Sequence, residues 1–306
     1  MNKILVSFSL LLSMHSARAM QENKLTVYAI PGLNGCGSDT DYVSRLLGED
    51  NVKVVEVSTP ESFPDLGQEL CMQHLRKAIA ENPSENAIIH ATSQGTATAI
   101  NYVAHEDKGR RIKGLILEAA LASGNSAVER TVGGPLMNLG AVTRLPGSYY
   151  WLPYIAQIVS MQAYLPAGKQ PIKSIAKIPD NLPVIIAHSK DDMQLPYNGA
   201  CALYAGLQLQ GNANAYLMTK EGNQHIHILD DEYRRNNVRN ILKKHALLPG
   251  LVDPVTAEYL VDYQPYPDQY EALHDNLYAR EKAHEWIAGS ACATLAATLG
   301  YYAMND

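Results

Sequence analysis

Residues 87–97 read Ala-Ile-Ile-His-Ala-Thr-Ser-Gln-Gly-Thr-Ala, and this stretch decides the fold. Its first half is a short apolar run typical of a buried strand, and its second half, rich in small residues, reads as a helix. Ser93 stands between the two halves. A sharp strand-to-helix turn holds such a serine in strained backbone geometry, and the small residues Ala91 and Gly95 relieve the crowding around it. The stretch therefore predicts a serine hydroxyl lifted above a sheet edge, with a helix N-terminus beneath it that favours negative charge.

Short apolar runs rich in Val and Ile alternate with longer amphipathic segments from residue 25 onward. Six such runs are predicted to be strands, at residues 25–30, 52–57, 87–91, 112–117, 183–187 and 215–218. Strands of this composition are covered on both faces. Between residues 63 and 79, apolar residues recur at helical spacing with polar residues opposite them. Strand alternating with helix predicts the α/β class, with a mostly parallel sheet flanked by helices.

A glycine-rich loop follows the first predicted strand. Residues 31–38 read Pro-Gly-Leu-Asn-Gly-Cys-Gly-Ser, and the glycines, Gly32 and Gly35 among them, allow the backbone to fold in close. A phosphate-binding loop is the competing interpretation. The loop lacks the Lys-Ser/Thr ending of a P-loop and the full Gly-x-Gly-x-x-Gly of a dinucleotide site, so the sequence disfavours that alternative.

Together these motifs resemble the α/β-hydrolase superfamily. The stretch at 91–95 is similar to its Gly-x-Ser-x-Gly nucleophile elbow, with Ala91 in the place of the first Gly, and the loop at 31–38 is similar to its His-Gly-x-x-Gly oxyanion loop, with Pro in the His position. The resemblance implies that Ser93 is the nucleophile and that the backbone N–H groups of Leu33 and Gln94 face the oxyanion. It assigns a supporting role to the glycines Gly32, Gly35 and Gly95.

The same resemblance selects the partners of the serine. Residues 188–196, His-Ser-Lys-Asp-Asp-Met-Gln-Leu-Pro, match the family's His-Gly-x-x-Asp-x-x-Val-Pro at Asp192, with Asp191 as the alternative carboxylate. Residues 222–227, Gly-Asn-Gln-His-Ile-His, match its Gly-x-x-His loop at His225, with His227 as the alternative. The order Ser, Asp, His, each after a predicted strand, is the order of that superfamily. His90, on the strand before the elbow, is interpreted as a core histidine.

The resemblance implies an enzyme, a serine hydrolase of the carboxylesterase, lipase or thioesterase type. It would cleave esters or thioesters of uncharged, short-to-medium acyl groups through an acyl-enzyme on Ser93. Two alternatives stay open. One is a peptidase or amidase of the same fold, and the other is a non-catalytic surface-interaction protein built on that fold.

Two stretches interrupt the alternation of strands and helices. Residues 121–180 show no strand and are predicted to form an inserted helical cap. Its aromatic cluster either lines an acyl pocket or packs the cap itself, and consists of Tyr149, Tyr150, Trp151 and Tyr154. Residues 248–306 are predicted to form a C-terminal helical extension packed on the domain of residues 20–247. The uncharged segment 286–304 within it is long enough to span a membrane, but its many small residues favour close packing on the domain.

The first residues have the layout of a secretory signal peptide. Lys3 precedes an apolar run at 4–14, and Ala17-Arg18-Ala19 offers a cleavage site, so residues 1–19 are predicted to be removed from an exported, periplasmic or secreted protein. An uncleaved N-terminal anchor is the alternative. The formal net charge is −6 before cleavage, and removal of Lys3 and Arg18 would make it more negative. Nucleic acid is therefore not an expected partner.

Neither a metal nor another cofactor is implied. His225 and His227 could be two metal ligands, but the other histidines show no ligand spacing around them. The four cysteines are Cys36, Cys71, Cys201 and Cys292. Export would permit disulfides among them, in any of three pairings, while buried thiols are the alternative.

Overall fold

The core of the protein is a six-stranded sheet in which every strand runs parallel to its neighbours, in the order β2-β1-β3-β4-β5-β6. The computed structural model describes residues 24–32, 39–58, 69–124, 169–252, 272, 274–279 and 282–283. The strands are β1 Leu25–Ile30, β2 Val52–Glu56, β3 Ala87–Thr92, β4 Ile112–Glu118, β5 Val184–Ser189 and β6 Ala215–Lys220. All six predicted strands are present, and the α/β class with a parallel sheet is confirmed.

Helices cover the two faces of this sheet. Within the described residues they are α1 Thr40–Leu47, α2 Glu69–Glu81, α3 Gln94–Tyr102, α4 Pro171–Ser174, α5 Tyr197–Leu209 and α6 Glu232–Lys244. Alternate residues of one strand point to opposite faces. In β1, Tyr28 and Ile30 accordingly pack with α2, α3 and α5, whereas Val27 and Ala29 pack with α1 and α6. Because both faces are covered, β1, β3 and β5 are buried along their whole length.

The strand order brings the functional loops to one edge of the sheet. The chain moves from β1 outward to β2, then returns to the other side of β1 to lay down β3 through β6. The carboxyl ends of β1 and β3 therefore flank the point at which the order reverses, which is where open α/β sheets bind ligands. The loops that follow β5 and β6 open at the same edge because all the strands are parallel.

The predicted cap lies largely outside the described residues, since 125–168 are not among them. The described end of the predicted insertion packs into the main core. There Ile172, Ile175 and Ile178 are buried in the same cluster as α5, at 0%, 0% and 2% exposure. The aromatic residues Tyr149, Tyr150, Trp151 and Tyr154 lie outside the described residues, as does the predicted signal peptide at 1–19.

Part of the C-terminal extension is described, and it contacts the body. Residues 274–279 are helical, and Leu277 packs against the cluster that contains α5. His274 lies over Gly206 of α5, where an added Cβ would come within 3.0 Å of its ring. The uncharged segment 286–304 lies outside the described residues. No helix in the part of the chain that is described is long and apolar enough to cross a bilayer.

Two of the four cysteines fall within the described residues. Cys71 in α2 and Cys201 in α5 are both buried thiols, and burial raises the pKa of Cys201. Cys36 and Cys292 lie outside the described residues. Disulfides that involve Cys36 or Cys292 therefore stay predictions from the sequence.

Candidate active site

Ser93 occupies the turn between β3 and α3 in a strained conformation. Its backbone torsions are φ 52° and ψ −120°, and its hydroxyl makes no capping bond to the helix that it precedes. A positive φ in a residue other than glycine is costly, and such strain persists only where the surroundings impose it. Here the Ser93 N–H donates to the carbonyl of Glu118 at 2.8 Å. The hydroxyl is thereby left to point away from the helix.

Gly95 allows the elbow to sit against the end of β1. A Cβ at this position would lie 2.6 Å from the carbonyl oxygens of both Ile30 and Pro31. No side chain fits at that distance, because both obstacles are backbone atoms. The glycine two residues after the serine is therefore required by a close approach between two chain segments. Ala91, two residues before the serine, is fully buried.

His225 reaches the serine from the loop after β6. Its Nε2 lies 3.0 Å from the Ser93 Oγ, a hydrogen-bonding distance. The loop begins at Gly222, whose φ of +96° suits glycine. The Gln224 side chain then braces the loop by donating to the carbonyls of Ile226 and His227, at 2.7 and 2.8 Å. The imidazole is therefore held by its own loop, close to the hydroxyl.

Asp192 holds the other side of the imidazole. Its Oδ2 lies 2.7 Å from His225 Nδ1, and its Oδ1 accepts from the backbone N–H groups of Gln194 and Leu195 at 2.7 and 3.0 Å. Burial acts to raise the pKa of Asp192. The hydrogen bond to His225, the two amide bonds and the charge of His225 together outweigh burial, so the pKa lies below its ordinary value. The carboxylate is therefore ionised and aimed at the histidine.

The two alternative residues point elsewhere. Asp191 is exposed, and its backbone N–H donates to the carbonyl of Gly222 at 3.1 Å. His227 turns away through a φ of 54° and stacks on Tyr42, with ring centroids 4.2 Å apart. Its Nε2 lies 3.3 Å from a carboxylate oxygen of Asp39. The structure thus brings Asp192 and His225, rather than their neighbours, to Ser93.

Gln94 is the first residue of α3, so its backbone N–H belongs to the positive end of a helix beside the Ser93 hydroxyl. Its side chain donates to the Cys71 Sγ at 3.6 Å. Gly32 is buried at the end of β1. The other predicted members of the oxyanion loop, Leu33 and Gly35, lie outside the described residues.

Two residues that the sequence analysis missed complete the surroundings of the serine. Thr96 donates through its hydroxyl to the Ser93 carbonyl at 2.6 Å, and the same hydroxyl accepts from the Leu121 N–H at 2.8 Å. Glu118 ends β4 with a carboxylate that is fully buried. An ionisable residue at the end of an apolar strand was a signal for Glu118, since this edge of the sheet carries the site.

No group of three or more His, Cys, Asp or Glu side chains that could hold a metal ion occurs in the described part of the chain. His90 is fully buried, and its Nε2 lies 2.7 Å from the Glu118 carboxylate. At Ser93 a hydroxyl, an imidazole and a carboxylate are connected by hydrogen bonds. Such an arrangement can deprotonate a hydroxyl for attack on a carbonyl carbon.

Similarity to known proteins is visible in structure rather than in sequence. No protein-family model and no curated protein sequence matches the chain. The esterase Pf2001 of Pyrococcus furiosus superposes with a TM-score of 0.50 at 14% identity, over 72% of this chain and 83% of that one. A second crystal form gives a TM-score of 0.50 at 15% identity, over 72% and 82%. Est1E from Butyrivibrio proteoclasticus gives 0.49 at 16% identity, over 74% and 89%. At these identities the likeness to Pf2001 concerns the fold, and activity has to be argued from the site.

Proposed function

We propose, on the premise that this chain has the α/β-hydrolase fold, that it is a serine hydrolase with Ser93 as its nucleophile. The observation that carries the proposal is the unbroken chain of hydrogen bonds from Ser93 through His225 to Asp192, at 3.0 and 2.7 Å. These residues come from three separate loops at one sheet edge. Packing alone would not require the three side chains to meet.

The mechanism follows from the atoms that are paired. His225 Nε2 accepts the proton as the Ser93 Oγ attacks a carbonyl carbon, and the resulting imidazolium then donates that proton to the leaving group. Asp192 keeps the proton on Nδ1 and stabilises the positive charge of the ring. Water, deprotonated by the same histidine, then hydrolyses the acyl-enzyme. The N–H of Gln94, with that of Leu33 as its proposed partner, stabilises the oxyanion in both halves of the reaction.

The proposed substrates are esters or thioesters of uncharged, short-to-medium acyl groups. The support comes from the sequence, in which the segment 121–180 carries an aromatic cluster at 149–154 with no basic residue within it to hold an anionic head group. Each methylene buried in an apolar slot contributes about 0.8 kcal/mol, so specificity constants for p-nitrophenyl esters should rise several-fold per added carbon until the slot is full. A specificity constant that does not change with acyl chain length would contradict the apolar slot. A sharp rise only above the micellar threshold of the substrate would indicate an interfacial lipase instead.

The nucleophile is tested by a fluorophosphonate probe, followed by mass mapping of the labelled peptide. We expect the label on Ser93 and a loss of turnover on the order of a million-fold in Ser93→Ala. His225→Gln should abolish labelling and turnover, whereas the matched variant His227→Gln should retain both. Labelling that persists in Ser93→Ala would overturn the assignment, as would a greater loss in His227→Gln than in His225→Gln.

We also propose that the protein is exported and that residues 1–19 are removed. The support is the basic, apolar and small-residue layout of that segment. N-terminal sequencing of the protein from the extracytoplasmic fraction should begin at Met20. Recovery of the full-length chain in the membrane fraction would favour the uncleaved anchor.

A further inference from the structure

Glu118 is a buried carboxylate with four hydrogen-bond partners around it. Its Oε1 lies 2.7 Å from the hydroxyl of Tyr42 and 2.7 Å from His90 Nε2. Its Oε2 accepts from the backbone N–H groups of Ile228 and Leu229 at 2.7 and 3.3 Å. An ionised carboxylate offers about four acceptor sites, so the surroundings match its capacity. A buried carboxylate whose hydrogen-bonding capacity is used in full holds the surrounding residues rigidly in place.

This residue connects the two halves of the site. Its backbone carbonyl accepts the N–H of Ser93 at 2.8 Å, on the nucleophile side. Its side chain holds residues 228 and 229, immediately after the loop that carries His225. The contacts span 110 and 111 positions of the chain.

A residue with strained backbone geometry lies next to each of these two connections, the one to Ser93 and the one to residues 228 and 229. Ala119, directly after Glu118, has a φ of 47°, and His227, directly before Ile228, has a φ of 54°. Both lie in the left-handed region, which residues other than glycine rarely adopt. The loop at His227 would relax if it were not anchored, because the left-handed region is not the lowest-energy backbone conformation of a histidine. The amide bonds to Glu118 anchor the chain one residue later, in addition to the bonds that the Gln224 side chain makes within the loop.

We propose that Glu118 is a positioning residue that fixes the distance between the Ser93 hydroxyl and the His225 imidazole. The inference rests on the proposed function, since it assigns Glu118 a part in the same reaction. Glu118 does not touch the reacting atoms. It acts through the elbow that it bonds with its carbonyl and through the loop that it bonds with its carboxylate.

Glutamine is the informative replacement because it keeps the shape and alters the acceptors. An amide has one oxygen and one NH2 group, so the NH2 group would face either the two loop amides, which cannot accept, or Tyr42 and His90, which would have to turn from donors into acceptors. In either orientation the carboxylate's stronger hydrogen bonds are lost and the hold on the loop weakens. A displacement of about 1 Å at a catalytic pair costs on the order of a hundredfold in rate. Glu118→Gln should therefore lower kcat by about ten- to a hundredfold with KM unchanged, since no substrate contact is removed.

Asp107 provides a matched control at the opposite end of the same strand. Its buried carboxylate accepts from the backbone N–H groups of Arg111 and Ile112, each at 3.0 Å in the shorter contact. Asp107→Asn therefore removes a buried carboxylate that braces two consecutive amides, far from the site. Both variants should lower the melting temperature. Only Glu118→Gln should lower kcat.

A second measurement separates positioning from general loosening of the fold. The low-field proton resonance of His225 Nδ1–H, identified by its absence in His225→Gln, reports the bond to Asp192. It should shift or broaden in Glu118→Gln and stay in place in Asp107→Asn. A wild-type kcat and resonance in Glu118→Gln, or an equal loss of kcat in Asp107→Asn, would overturn the proposal.

The outcomes also separate this proposal from the proposed function. If the wild-type protein shows no hydrolysis that depends on Ser93, the proposed function fails, and the resonance still decides whether Glu118 positions His225. If Glu118→Gln does not fold, Glu118→Asp takes its place, because it keeps the charge and retracts the carboxylate by one methylene. It should show the same loss of kcat, and a wild-type kcat in that variant would refute the inference.

Discussion

Replacement of Gly95 by alanine should damage the elbow in a way that can be worked out from the structure. The added Cβ would lie 2.6 Å from two carbonyl oxygens, those of Ile30 and Pro31. Ordinary contact begins near 3.4 Å, so α3 and the end of β1 must separate by several tenths of an ångström. Overpacking of this kind lowers the free energy of unfolding by about 1–3 kcal/mol. We expect a value at the upper end of that range, because the two atoms in the way belong to the backbone.

The same displacement should affect catalysis more than stability. Pro31 leads into the proposed oxyanion loop, and Gly95 follows the N–H of Gln94, so the two donors would move apart. Loss of one oxyanion donor costs about a hundred- to a thousandfold in kcat. We therefore expect Gly95→Ala to lose at least about a hundredfold in kcat while KM changes little.

The assay is a kcat measurement on a p-nitrophenyl ester together with a thermal melt, run beside a control. Gly114→Ala is that control, because an added Cβ on this buried glycine of β4 would meet side-chain carbons of Ile88, Leu247 and Pro183 at 3.3–3.4 Å. Those neighbours can give way, so its stability should change by less than about 1 kcal/mol and its kcat should not change. Wild-type kcat and melting temperature in Gly95→Ala would refute the close approach as the reason for this glycine.

Three further outcomes are expected. Asp192→Asn should lower kcat by about ten-thousandfold through the wrong tautomer of His225, and a greater loss in Asp191→Asn would identify the other carboxylate. Because the folded pKa of Asp192 lies below its ordinary value of 3.8, its stabilising contribution is complete well above that pH and is lost as the pH falls through the folded value. The difference in unfolding free energy between wild type and Asp192→Asn, measured by urea denaturation, should therefore shrink in acid, and a constant difference would contradict this. Truncation after Gly250 should expose apolar surface and lower the melting temperature or cause aggregation. Partition of the full-length mature protein into a detergent phase would instead favour a membrane anchor.

The sequence by itself determined the strands and the elbow. Strands covered on both faces are encoded by short runs of apolar residues, so the run at 183–187, for example, is readable without any knowledge of its neighbours. The sharp turn at Ser93 is readable from the small residues at 91 and 95, although the reason for Gly95, the approach of the end of β1, lies in a distant part of the chain. The parallel sheet then follows from the alternation of strands with helices, whereas the order of the strands is known only from the tertiary structure.

The tertiary structure decided which of two neighbouring candidates joins the hydrogen-bonded chain that starts at Ser93. Asp191 and Asp192 have the same chemistry, but the second one is held toward His225 by bonds to the amides of residues 194 and 195 and to the imidazole itself. His227 is likewise directed away by a left-handed backbone and a stacking contact with Tyr42. Local pattern does not encode such orientations, because each depends on a partner or a torsion angle that no composition rule predicts.

The role of Glu118 was beyond the sequence for the same physical reason. Its four hydrogen-bond partners are residues 42, 90, 228 and 229, on a helix, a neighbouring strand and a distant loop. Read along the chain, it is one charged residue at the end of an apolar run. It becomes the junction between the elbow and the histidine loop only when the register of β3 against β4 sets Thr92 beside it, and that register is fixed by packing across the whole sheet.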